Sequence, residues 1–103
     1  TLGRVVAKGY IENVYRLQIM NGTELSQQYR IAVSGLAGLR IETDTELTVP
    51  AAGIGSIPVR LVLPPEAADL HRGITSPITF EVQELHGDPE KITREKSTFY
   101  VPR

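Results

Sequence analysis

Cysteine and tryptophan are both absent from this 103-residue chain. Without cysteine these residues hold no disulfide, thiolate metal site, iron–sulfur centre or cysteine nucleophile. The compartment stays open, because periplasmic and secreted domains need not carry disulfides. Methionine occurs once. A copper(I) site wants several thiolates or thioethers, so its ligands are missing here. The aromatics are four Tyr and two Phe. A carbohydrate platform would have only Tyr10 and Tyr100 to expose. Neither sign of charge dominates: eleven Lys and Arg stand against twelve Asp and Glu, for a formal charge of −1. There is no polybasic stripe, so nucleic-acid binding through phosphate neutralisation is not expected. No apolar run approaches ~18 residues, so no helix within this stretch crosses a membrane. The chain opens on Thr1, with no initiator Met and no signal peptide. The expectation is a fragment or a processed piece.

What the chain does have is a period of two. Tyr15, Leu17 and Ile19 alternate with Arg16, Gln18 and Met20. The same alternation marks Tyr29-Ile31-Val33, Leu47-Val49, Val59-Leu61-Leu63, Ile78-Phe80-Val82 and Phe99-Val101. It predicts half-buried strands with one face on a core. A short strand around Leu39 to Ile41 brings the number to about seven. Arg4 to Ala7 is a further candidate, whole or cut short. Turn residues punctuate the breaks, among them Asn21-Gly22, Ser34-Gly35, Pro64-Pro65 and Gly87-Asp88-Pro89. Glu66 to Leu70 reads as a single helical turn in a crossover loop. The length fits one domain. The expected fold is all-β, an immunoglobulin-like β-sandwich of about seven antiparallel strands, with a small open barrel as the alternative.

Asn21-Gly22 invites a two-residue hairpin. That register would place Ile19 opposite Glu24, Leu17 opposite Ser26 and Tyr15 opposite Gln28. Opposed residues share a sheet face, so an apolar row would continue as a polar one. The tight hairpin is therefore rejected. Either a longer loop pairs Ile19 with Tyr29, or the second strand crosses to the other sheet. Both make Gly22 to Gln27 a loop. Asn21 and Asn13 are then expected to bond loop backbone at the two ends of the strand. Asn21-Gly22-Thr23 is also a valid glycan acceptor, in a chain with nothing else to indicate a glycosylating compartment.

Catalytic and metal chemistry find little footing. His71 stands near Glu66 and Asp69, but a solvated loop is the expected reading. His86 is expected as an exposed turn residue. Gly53-Ile54-Gly55-Ser56 runs on into a strand pattern, whereas a phosphate loop needs a helix N-terminus behind it. No serine has a Gly-x-Ser-x-Gly context. Glu90 to Lys96 reads as a solvated loop or a strand edge. The expectation is no catalytic residues, no cofactor site, no metal site and no small-molecule substrate. The outward residues Arg16, Gln18, Met20 and Arg30 are the candidate partner surface, with the loops at the sandwich ends.

The run Gly9 to Asn21, with its Glu-Asn-Val-Tyr-Arg-Leu-Gln-Ile-Met-Asn core, and the stretch Tyr29 to Leu39 resemble a known bacterial domain. So does the ending Phe99-Tyr100-Val101-Pro102-Arg103. The chain is similar, over nearly its whole length, to the C-terminal immunoglobulin-like domain of the FixG/CcoG family. The resemblance implies a periplasmic domain at the C-terminal end of an inner-membrane protein, tethered through upstream segments. Such proteins carry two four-iron clusters upstream, and they are tied to cbb-type cytochrome oxidase assembly and copper reduction. No cluster ligand carries over, because no cysteine is here to receive one. The function so implied is a non-catalytic interaction or structural module, contacting a periplasmic protein or its parent's own membrane domain. The alternative is an accessory or spacer domain of a secreted enzyme or adhesin. A stand-alone hydrolase lacks any recognisable constellation.

Overall fold

The structure is a computed structural model and describes residues 3–88 and 90–103. Eight strands form two four-stranded antiparallel sheets among these residues. They are β1 (Arg4–Val5), β2 (Ile11–Met20), β3 (Gln27–Ser34), β4 (Arg40–Ile41), β5 (Glu46–Val49), β6 (Ile54–Leu63), β7 (Thr75–Glu84) and β8 (Ile92–Tyr100). One sheet runs β1-β2-β6-β4 and the other β5-β3-β7-β8. The immunoglobulin-like sandwich expected from the alternation is what forms, and β1 is the strand added to the expected seven. One short helix, α1 (Pro65–Ala68), continues into a 3-10 turn at Asp69–His71. It occupies the segment read as a single helical turn. No helix among the described residues is long and apolar enough to cross a membrane.

Alternating residues build the core, as the period of two requires. Ile11, Val49, Val59, Leu61, Leu63, Phe99 and Val101 are wholly buried, with Ile78 and Phe80 nearly so. Between β2 and β3 the chain changes sheet. Of the two arrangements left open by parity, the crossing is therefore the one adopted, and Ile19 does not pair with Tyr29. β2 pairs with β6 instead, Leu17 opposite Ile57 and Tyr15 opposite Val59.

Hydrogen-bond phase decides which backbone groups stay open. Just past β2, the Asn21 N–H donates to the Gly53 carbonyl. Bonded and non-bonded pairs alternate along an antiparallel ladder. Counting back from Asn21, the odd residues of β2 bond to β6. The even residues Val14, Arg16, Gln18 and Met20 direct N–H and C=O to the opposite side. There β1 covers only Ile11 and Glu12. The same phase turns Pro58, inside β6, away from β2, so its missing N–H breaks no bond of that ladder.

Candidate functional site

The two sheets meet edge to edge along one seam, between β2 and β8. Asn13 ties it at one end. Its Nδ2 donates to the Tyr100 carbonyl at 3.0 Å, and its Oδ1 accepts from the Tyr100 N–H at 3.1 Å. The expectation that Asn13 bonds loop backbone near its own strand is corrected. Its partner is the main chain of the last strand, and it is buried. Among the described residues β8 has no strand neighbour on this side, and a side-chain amide takes that place. Gly3 packs against the same clamp, where a Cβ would collide with the Tyr100 carbonyl and crowd Asn13. Two residues along β2, the Tyr15 hydroxyl donates to the Thr98 carbonyl at 2.6 Å. The Tyr15 ring meets Phe80 edge to face, 5.2 Å between centroids. Burial pushes this hydroxyl's pKa up to about 12.

Beyond Tyr15 the seam opens into a groove of about 530 Å³. Leu17, Ile19, Tyr29, Phe80 and Val82 supply its apolar surface, and Glu84, Lys91 and Glu95 are among its polar lining. The cause lies in β8. Thr93 pairs with Val82 and Glu95 with Phe80, so both belong to the row that carries Phe99 inward. Polar side chains there cannot close over the core. Burial, then the charge of Glu84, raises the Tyr29 pKa. Among the described residues neither Glu84 nor Glu95 is in an ion pair.

The candidate partner surface is only partly brought together. Arg16, Gln18 and Met20 share the outer face of β2 and are exposed. Met20 is 77% exposed and pairs with Ile54, itself 64% exposed. Arg16 donates to the Ser56 hydroxyl at 3.2 Å. Arg30 is a correction: it lies on β3, in the other sheet, 3.3 Å from Glu46. The change of sheet between β2 and β3 reverses which way outward points, so Arg30 cannot join the other three.

A second cluster lies on the outer face of the β1-β2-β6-β4 sheet. Glu12 is only 5% exposed. Arg4 approaches its carboxylate at 2.9 Å and Arg60 at 3.5 Å. Arg40 stacks over Tyr10, 5.5 Å from the ring centroid, and pairs with Glu42. Strand parity marks Glu12 as exposed, and the arginines that cover it come from other strands, so no local signal marks it. Tyr10 and Tyr100, the candidate exposed rings, are both partly buried.

The remaining candidates stay apart. His86 is exposed and bonds Gln28 at 2.7 Å. Asp69, near His71, pairs with Arg72. No group of three or more His, Asp or Glu among the described residues is placed to hold a metal. Asn21 is buried, and its Nδ2 donates to the carbonyls of Leu25, Val49 and Pro50. That nitrogen is the one a glycan would need, and the folded domain does not present it. Ile92–Tyr100 is strand, so of the two readings of Glu90 to Lys96 the strand edge holds from Ile92 onward.

A family model described as "IG-like fold at C-terminal of FixG, putative oxidoreductase" matches residues 1–102. The chain belongs to the FixG C-terminal domain family. Protein RdxA of Cereibacter sphaeroides is 32% identical over 103 aligned residues, covering 95% of this chain. The chain spans 22% of that relative's length. Among solved structures, a FixG-related protein from Vibrio parahaemolyticus superposes with a TM-score of 0.76 at 24% identity. That match covers 89% of this chain and 80% of the other. An extracellular fragment of EsaA from Streptococcus gallolyticus reaches 0.50 at 18% identity, covering 89% of this chain and 24% of that one. At these identities the structural likeness speaks for the fold alone. The FixG-family domain thus has a sandwich stitched at one end of its β2–β8 seam and open at the other.

Proposed function

We propose that this domain is a non-catalytic interaction module of a FixG-like, membrane-bound iron–sulfur electron-transfer protein. In this reading the domain sits in the periplasm, tethered through upstream segments. The clusters belong to other parts of the parent, and the parent serves cbb-type oxidase assembly and copper reduction. The observation that carries the reading is the match of the FixG C-terminal domain model to residues 1–102. The chain's own chemistry agrees with it. It has no cysteine to ligate a cluster, and its accessible features are an apolar groove and open strand edges. Surfaces of that kind recognise other chains.

The test is deletion of this domain from the full-length parent. The expected result is retention of the iron–sulfur signals in electron paramagnetic resonance, with loss of mature cbb-type oxidase. Loss of the cluster signals would overturn the reading, and so would normal oxidase maturation.

A further inference from the structure

We propose that the groove between β2 and β8 binds one extended peptide of a partner protein, added antiparallel to β2. Its alternate apolar side chains seat on the groove floor, and a Lys or Arg among them reaches Glu84 and Glu95. The proposal rests on the interaction-module reading above and names the chemistry of the partner.

Backbone valence comes first. Arg16, Gln18 and Met20 direct N–H and C=O away from β6, and no described strand receives them. An added strand satisfies such an edge with main-chain bonds alone, whatever its sequence. An antiparallel strand already occupies the start of the same edge. There β1 runs antiparallel to β2, Arg4 opposite Glu12 and Val5 opposite Ile11. A peptide on that line, in that direction, lies along Arg16 to Met20. The stitched end limits its reach, because the Tyr15–Thr98 bond and the Asn13 clamp close the seam. About five paired residues fit between that stop and the end of β2.

Side chains supply the rest. Every second residue of an added strand points inward, here over Tyr29, Phe80 and Val82. The charge of the lining selects among apolar peptides. Glu84 and Glu95 face a single lysine, Lys91. The negative field of Glu84 is felt at the Tyr29 hydroxyl on the floor. A basic residue in the peptide complements this lining and an acidic one is repelled. The opposite edge is less suited to a basic strand, because β8 itself carries Arg94 and Lys96.

The experiment titrates isotope-labelled protein with a capped peptide of about eight residues whose alternate inward side chains are Val with one Lys among them and whose outward side chains are Thr. The control peptide carries Glu in place of that Lys. Expected are shifted resonances and slowed hydrogen exchange at the Arg16, Gln18 and Met20 amides, with the Glu peptide binding about tenfold more weakly. Gln18→Pro removes one outward N–H and leaves the β2–β6 bonds in place. It should weaken the Lys peptide about tenfold. Glu95→Lys, on an exposed side chain, should do the same without touching the backbone. Equal affinity for the two peptides overturns the proposal. Binding that leaves the three amides unprotected also overturns it, as does sedimentation showing two copies of this domain paired along β2. None of these results bears on the module reading, whose own failure is normal oxidase maturation without the domain.

Discussion

Asn21 shows how one side chain replaces a hairpin. Three carbonyls, from the loop after β2, the end of β5 and the residue that follows it, converge on its Nδ2, and its Oδ1 accepts from the Thr23 N–H and hydroxyl. All five contacts sit where β2 leaves its sheet. Each of those carbonyls has a further donor, from the Thr23 hydroxyl, the Ser26 hydroxyl and the Gly53 N–H, so a small apolar residue strips one bond from each and leaves the Thr23 N–H without its acceptor. Asn21→Ala is therefore expected to cost about 2–3 kcal/mol, or about 10–20 °C in melting midpoint. Urea denaturation read by circular dichroism checks it. The role of Asn21 was legible in the sequence, because parity excluded the hairpin and left a loop to be held. The role of Asn13 was legible only as a side chain bonding backbone at the start of its strand. Its partner, Tyr100, lies 87 positions away, and no local pattern reports a contact of that range. Glu12 was not legible at all, since Arg4 and Arg60 reach it from other strands.

At the scale of elements, the two edge strands of the seam differ in how they are finished. β8 carries Phe99 inward near its end, then Thr93 and Glu95 on the same face. Inward polar residues on an edge strand discourage pairing with other chains. Here they also leave the sandwich unsealed. The stitched half depends on Asn13. Asn13→Ala removes the donor and acceptor that serve the Tyr100 main chain, at an expected cost of about 2 kcal/mol. Amide hydrogen exchange at Tyr100 should quicken more than at Phe99, whose N–H faces β7. Equal quickening at both positions would show that the seam does not open locally. Strand identity was readable from β2 to β8, because alternation is a local property, whereas the two residues of β1 are too few to show it. Edge position was not, because it depends on which strands become neighbours.

For the whole molecule, alkaline pH tests how well the seam is sealed. The Tyr15 hydroxyl titrates near 12 in the folded protein, against 10.0 for an unperturbed tyrosine. Tyr29 is shifted in the same direction. Between these values the unfolded chain gives up protons that the folded one keeps. Unfolding then binds fewer protons in U than in N, so stability falls as pH rises. It is fully present below pH ~10 and is lost progressively as pH climbs toward 12. Tyr15→Phe should be less stable than the parent at neutral pH, having lost the bond to Thr98, and should show a shallower decline above pH 10. Denaturant midpoints measured across that range decide it, and an unchanged slope in Tyr15→Phe would place the titration elsewhere.

The sequence by itself determined the class of fold, the strands, the faces they bury and the family. All of these follow from alternation, turn chemistry and a recognisable run between Gly9 and Asn21. Composition also removed thiolate chemistry outright, since no cysteine is present. Only the tertiary structure decided that β2 and β3 part into different sheets, and with that it separated Arg30 from Arg16, Gln18 and Met20. It also decided that β2 and β8 face one another, clamped at Asn13 and open beyond Tyr15. The physical reason is that a strand's pattern specifies which face is buried and leaves its lateral neighbours unspecified. The neighbours are chosen by packing two sheets around one core, and the groove exists where that packing runs out of apolar residues.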